Sequence, residues 1–387
     1  MNIILHDTDA VRTNLLPLTF TRPVGALRCG ILTIAEKWEK LLNATIFYAT
    51  EEYLGELFPS TTDPHAVHIA ANILPSSGMA AAVAAMRPGE MLMLDNEPAA
   101  WIDSADGSAP RPVPCPAPVG VVRHSYDLFL LNDDALNADV ELLTAHTASQ
   151  PIHESCCVIG PKERLFIAEG ASVLGCTLNT MSGPIYIGSG AEVMEGSCLR
   201  GPVGVCSNSH VNMGTKVYGA TTIGPWCKVG GEVNNIVMQG YSNKAHDGFL
   251  GNAVIGEWCN LGAGCVASNL KNDYTEIKLW NYGSRRFLRT GLQFCGLIMG
   301  DHSKAGINTM FNTATTLGVG VNIHGTGFPR NFVASFSEGS PGAGFTDVSL
   351  SKFFAIAERV MQRRGIELSD AYRRMYTALH TITEQYK

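Results

Sequence analysis

At 387 residues the chain exceeds what one hydrophobic core usually supports, which sets an expectation of two domains with a terminal appendage. A net charge of −7, with no Lys/Arg run, argues against a nucleic-acid phosphate footprint and a polybasic membrane patch, and leaves room only for small anions in a local pocket. Charged residues make up 16% of the chain against 45% hydrophobic, and the 40 glycines point to many tight corners of a repetitive β architecture.

The start, Met1 to Asp7, lacks a basic leader followed by an apolar run, and no stretch of about 18 apolar residues follows. The expectation is a cytoplasmic protein without a membrane segment. The 11 cysteines form no CxxC pair and read as reduced thiols. In chain order, the first 150 residues alternate β-rich and helical runs: Asn2 to Leu5, a helix near Ile31 to Leu42, Thr45 to Tyr48, Val67 to Ala70, an Ala-rich helix near Met79 to Met86, then Met91 to Leu94. Such alternation predicts an α/β domain with a largely parallel, Rossmann-like sheet over 1–150. The Pro-rich stretch Pro110 to Pro118 reads as a surface loop, and helical pattern resumes from Tyr126 to Thr147.

From about residue 151 a six-residue period takes over. Ile187, Val193, Leu199, Val205, Val211, Val217, Ile223 and Val229 are aliphatic without a gap, and each is followed four residues later by a small or slim side chain, from Ala191 to Val233. The phase resumes at Phe249, Ile255 and Leu261, and again at Met299, Ala305, Phe311, Leu317 and Ile323. Each hexapeptide is one short strand plus a corner, and three of them close one coil of a triangular prism, so 151–340 is expected to form an all-β left-handed parallel β-helix. The interruptions Asn234 to Gly248 and Ser268 to Gly296 read as loops that leave the prism. The second of these carries Lys278, Arg285, Arg286 and Arg289 among Tyr274, Trp280, Tyr282 and Phe287, a basic and aromatic set that either contacts phosphate or packs on itself. The tail, 341–387, reads as two amphipathic helices, from Ser349 and from Ser369.

The order His246-Asp247-Gly248-Phe249-Leu250-Gly251-Asn252, then Ile255-Gly256, then Asn260-Leu261-Gly262-Ala263-Gly264, then Asn269-Leu270 resembles the acetyltransferase half of the bifunctional UDP-N-acetylglucosamine pyrophosphorylase/glucosamine-1-phosphate N-acetyltransferases, and the archaeal sugar-1-phosphate nucleotidylyltransferases with the same β-helix. The resemblance implies His246 as the general base that frees a sugar amine to attack acetyl-CoA, Asn269 near the acyl donor and substrate, and Gly262, Ala263 and Gly264 along the coenzyme groove. Phe249 stands where the family has Tyr, and Lys228 near the place of its phosphate-gripping Arg. Taken without the resemblance, His246 is a loop histidine and the glycines are prism corners.

In the first domain, Asn14 to Pro23 resembles the Arg-x-x-Pro-Leu-Thr segment of sugar nucleotidyltransferases, which places Arg12, Thr19 and Arg22 as nucleotide or sugar-phosphate contacts. The Gly-rich phosphate loop of that family is replaced by Asp7-Thr8-Asp9-Ala10, whose acids read either as Mg²⁺ ligands or as turn residues. Asp95, after the run Met91 to Leu94, stands where the family has a Mg²⁺-binding Asp. The resemblance thus implies a homotrimeric transferase acting on sugar phosphates with acetyl-CoA, with NTP and Mg²⁺, or with both. Two alternatives stay open: a nucleotidyltransferase with a purely structural β-helix, and a nucleotide-sugar-binding regulator without catalysis.

Overall fold

The computed structural model describes residues 1–104 and 106–387. Strand Asn2–His6 lies between Thr45–Ala49 and Val67–Ala70, parallel to both. Beyond Val67–Ala70 one strand is reversed: Glu97–Trp101 pairs antiparallel with it, and Glu90–Leu94 pairs antiparallel with Glu97–Trp101 through a hairpin whose Asp95 and Asn96 adopt positive φ, so Glu90–Leu94 runs with Asn2–His6 again. The sheet is therefore largely parallel, with Glu97–Trp101 as its one reversed strand. The Pro-rich stretch corrects the loop reading in part, because Arg111–Pro114 forms the edge strand. Edge placement tolerates Pro112 and Pro114, whose missing N–H groups face no partner, while the Arg111 and Cys115 amides donate to Gly89 and Met93. One face of the sheet (Ile3, Leu5, Val67, Ile69) is fully buried in a core shared with helices α2 (Ile34–Leu42) and α3 (Ser77–Ala84). Helix α2 starts at a capping box between Thr33 and Glu36, and Ser76 caps α3.

The hexapeptide periodicity forms a parallel β-helix with three faces. The first face runs from Leu165–Ile167 to Phe332–Val333, the second from Cys157–Ile159 to Met310–Phe311 and the third from Ser172–Val173 to Ser337–Ser340. The aliphatic series from Ile187 to Val229 points inward, each residue at most 1% exposed. The small residues between them are buried too, and their hydroxyls bridge rungs: Ser197 donates to the Asn212 carbonyl and Ser209 to the Gly224 carbonyl.

Rung length is not constant. Val229 pairs with Val211, eighteen residues earlier, but Met238 pairs with Ile223 at fifteen and Leu250 with Val233 at seventeen. The chain between Asn234 and Gly248 therefore stays inside the prism as a shortened rung, contrary to the loop expectation. Shortening also moves the phase by one, so Leu250 is buried and Phe249 turns outward. Ser268 to Gly296 does leave the prism, as an excursion built around the hairpin Lys278–Asn281/Arg286–Arg289.

The first face is apolar on its outside as well. Val237, Val254 and Ile298 are fully buried in the core of the N-terminal domain, and a Cβ on Gly204 would lie 2.9 Å from Ile31 and Leu136 side chains. Residue pairs across this contact are polar and specific: Asn132 donates to the Ala220 carbonyl, Thr222 to the Gly30 carbonyl, and three hydrogen bonds join Arg28 and Gln239. Arg22 forms a buried ion pair with Asp301 at 2.6 Å and a second with Glu257 at 3.1 Å, and Thr21 donates to Asp301 at 2.8 Å. The C-terminal helices α6 (Leu350–Gln362) and α7 (Asp370–Thr383) pack Phe353, Met361, Met375 and Tyr376 against Trp258, Val319 and Phe336 of the solenoid and Phe20 and Leu54 of the first domain.

Removing one partner of a buried, hydrogen-bonded ion pair strands the other, which typically destabilises by about 3–5 kcal/mol. Arg22→Ala, which leaves Asp301 and Glu257 facing each other, is expected to lower the urea unfolding midpoint by an amount of that order. An unchanged midpoint would show that this cluster does not hold the two domains together.

Candidate functional site

The corner joining the third and second faces carries His246, which is exposed and has no side-chain hydrogen bond. Its backbone is held from three sides. Lys244 fills the inward position paired with Val229, 1% exposed, and its ammonium donates to the Gly230 and His246 carbonyls. Asn212 donates to the Ala245 carbonyl at 2.7 Å, and the Gly264 amide donates to the Asp247 carbonyl at 2.9 Å. Burial pushes the Lys244 ammonium below its ordinary pKa.

The neighbouring corners are bare. A Cβ on Gly230 would meet the Ala245 carbonyl oxygen at 2.2 Å, so only glycine fits above His246. Gly262, Ala263 and Gly264 form the corner on the other side and are half-exposed. The histidine thus stands in a shallow notch along the edge. On the second face, Phe249 and Asn269 close over one spot: the Cβ that Gly251 lacks would lie 2.7 Å from the Phe249 ring and 2.6 Å from the Asn269 amide nitrogen, which donates to Asn252 at 2.8 Å. Lys228 lies on the third face beside Asn243, half-buried.

The first-domain candidates are differently placed. Arg12 is 7% exposed, and its guanidinium donates to Asp7, Thr50, Tyr53 and the Thr19 carbonyl, while the Thr19 hydroxyl donates back to the Arg12 carbonyl. Asp7 also accepts from the Val24 amide, and burial raises its carboxyl above the usual range. Arg22 is spent on Asp301 and Glu257. Asp95 does lie at the edge where Glu90–Leu94 ends, a strand that runs with Asn2–His6, but its side chain is 76% exposed at the hairpin turn with Arg123 3.8 Å away. These carboxylates do not fit a resident cation, and among the described residues no group of three His, Cys, Asp or Glu side chains stands ready to hold a metal. A cavity of about 730 Å³ among α2, α3 and helix α5 (Asn132–Thr144) is lined by none of the candidate residues.

Two features escaped the sequence reading. Lys244 is one, because a lysine in a corner-rich stretch gives no sign that it points inward; the shortened rung is what turns it. The other is His6, whose Nε2 lies 2.7 Å from His68 Nδ1, with Trp101 stacked on His68 and Asp103 3.6 Å from its far nitrogen. Burial, and then the His68 ring, lower the His6 pKa to about 4. The signal for this pair is a strand alignment, His68 opposite Ile4, that only pairing reveals.

Residues 3–148 match the family model described as sugar nucleotidyl transferase. The chain is 26% identical over 172 residues to the bifunctional protein GlmU of Synechococcus elongatus, covering 43% of this chain and 33% of that protein. It is 28% identical over 147 residues to the bifunctional sugar-1-phosphate nucleotidylyltransferase/acetyltransferase of Sulfurisphaera tokodaii, covering 37% of this chain and 36% of that one. Among solved structures, an N-acyltransferase of Bacillus cereus, AntD, aligns over 56% of this chain and all of its own with 15% identity and a TM-score of 0.23. The chain spans about a third of the length of the two curated relatives. The family model and the two curated relatives bear out the resemblance read from motif order, in divergent form. No helix among the described residues is long and apolar enough to cross a membrane.

A histidine whose folded pKa is depressed contributes stability that is complete above the unfolded value of 6.5 and is lost as pH falls toward about 4. The stability of the wild type relative to His6→Asn is therefore expected to fall between pH 6.5 and 4 in urea titrations. A constant difference across that interval would mean that His6 protonates freely in the folded protein.

Proposed function

We propose that the chain is a sugar-phosphate transferase whose acyl-transfer site lies on the free edge of the β-helix, with His246 as general base. The observation that carries this reading is an exposed imidazole on a held backbone, in a notch of glycine corners on an edge that, among the described residues, neither the N-terminal domain nor the C-terminal helices cover. Its chemistry is the N-acetylation of an amino-sugar 1-phosphate. His246 takes a proton from the sugar ammonium, the free amine forms a bond to the thioester carbonyl carbon, and the carbon–sulfur bond breaks to release the coenzyme A thiol. Gly262, Ala263 and Gly264 let a thin acyl-donor arm lie close to the backbone, and Phe249 with Asn269 forms the neighbouring wall for the sugar. Lys228 supplies positive charge on the adjoining face. A cytoplasmic location belongs to the same proposal, since acetyl-CoA is its donor.

The family match over 3–148 supports a second activity or a nucleotide-binding role for the first domain, with sugar 1-phosphate and NTP as reactants and Asp95 at its edge. The internal engagement of Arg12, Thr19 and Arg22 weighs against transfer chemistry there, so the acyl-transfer reading leads.

His246→Ala is expected to reduce coenzyme A release from acetyl-CoA and glucosamine 1-phosphate by roughly 10²–10⁴-fold, the usual range for a general base. Unchanged release would remove His246 from the reaction, and pyrophosphate release from UTP that is lost in Asp95→Ala would move the activity to the first domain. We further propose a homotrimer: Met213, two rungs before His246, and Ile307, two rungs after it, are 71% and 70% exposed on the same edge. Sedimentation equilibrium should return three times 41.5 kDa, and the mass of a single chain would overturn the assembly.

A further inference from the structure

The hairpin that leaves the prism at Ser268 folds back over the last rungs and encloses a cleft of about 700 Å³, within the usual size of small-molecule sites. Antiparallel pairing sets Trp280 opposite Phe287 and Lys278 opposite Arg289, so Lys278, Trp280 and Phe287 share one face of the hairpin. That face is turned onto the final rung, where the Trp280 ring stacks on Phe332 at 4.2 Å and 13°. Phe287 meets the Trp280 ring edge-on and is 42% exposed, so the aromatic wall continues into the open cleft.

The cations along this wall are Lys271, Lys278 and Arg330, and no carboxylate among the described residues lines the cleft, although the chain carries a net charge of −7. Lys278 and Arg330 form no ion pair among the described residues. Lys271 is oriented by the Thr275 hydroxyl and the Glu276 carbonyl, which leaves one ammonium hydrogen free. The nearby acids are already engaged, Glu276 by Arg289 and the Gly291 amide, Asp273 by Thr275. An apolar ligand leaves three cations facing it without partners, and inorganic phosphate alone leaves three aromatic rings unused. A planar heteroaromatic ring bearing phosphate satisfies both walls, by stacking and by charge-assisted hydrogen bonds.

We propose that this cleft binds a nucleotide, with its base against Phe287 and Trp280 and its phosphates on Lys278, Arg330 and Lys271. The cleft shares no residue with the His246 edge, so the inference stands apart from the acyl-transfer reading. Two sources supply this chemistry, a free nucleoside triphosphate and the adenosine 3′-phosphate end of coenzyme A.

Isothermal titration of the full-length protein with ATP, UTP, coenzyme A, adenosine 3′,5′-bisphosphate and inorganic phosphate tests it. At least one nucleotide should bind with a dissociation constant of roughly 1 mM or tighter. Binding should weaken at least tenfold in the Lys278→Glu/Arg330→Glu double variant and in Phe287→Ala, whose exposed ring can be removed without disturbing the core, while His246→Ala retains it. Preference for coenzyme A and the bisphosphate assigns the cleft to the donor's nucleotide end, and preference for ATP or UTP assigns it to a free nucleotide. Absence of nucleotide binding, binding indifferent to both variants, or phosphate binding as tight as any nucleotide would each overturn the proposal.

Discussion

Every rung of the solenoid must set an inward side chain directly over that of the rung before, because neighbouring strands sit about 4.8 Å apart and leave no room for drift. This constraint explains what happens where the rungs shorten from eighteen residues to fifteen and then seventeen. The strands stay paired, and all adjustment falls on the corners. Gly230 is one consequence, since the tightened corner brings the Ala245 carbonyl to where a Cβ would be. Lys244 is another: its place in the inward column lies between aliphatic neighbours, and its ammonium escapes only as far as the carbonyls of Gly230 and His246. The corner that bears the proposed base is thus the corner where the repeat is compressed.

A three-faced prism offers three faces and three edges, and the rest of the chain occupies them unequally. The N-terminal domain covers the first face, whose strands accordingly run apolar on both sides, as in Ile236-Val237-Met238. The C-terminal helices close the edge around Trp258 and Phe336, and the inserted hairpin overhangs the edge near Phe332. The edge of His246 is left. The Arg22, Asp301 and Glu257 cluster, reached by all three parts of the chain through Tyr376, fixes this division by joining a charge from the first domain to two from the solenoid.

The same cluster explains the character of the first domain. Residues that the resemblance implied as substrate contacts are here turned toward protein: Arg12 to Asp7 and the Thr19 carbonyl, Arg22 to Asp301. With the donors satisfied internally, the segment from Asp7 to Arg22 acts as a clamp on the solenoid. Lys278 and Arg330, by contrast, line the hairpin cleft and form no ion pair among the described residues.

The hexapeptide period determined the β-helix, because stacking demands an aliphatic residue at fixed intervals and that demand is written residue by residue from Ile187 to Val229. Helices α2, α6 and α7 were legible for a similar local reason, in the alternation of runs in the first domain and the amphipathic pattern from Ser349 and Ser369. His246, Gly262 and Gly264 were singled out by motif order alone, and their role remains a proposal. What the tertiary structure decided was phase and direction: that Leu250 and not Phe249 points inward, that Asn234 to Gly248 is a rung, that the Pro-rich stretch pairs at a sheet edge, and that Arg12 and Arg22 face inward. Each of these depends on which strand lies beside which, and a one-residue change in register reverses every side chain without changing the composition of the segment.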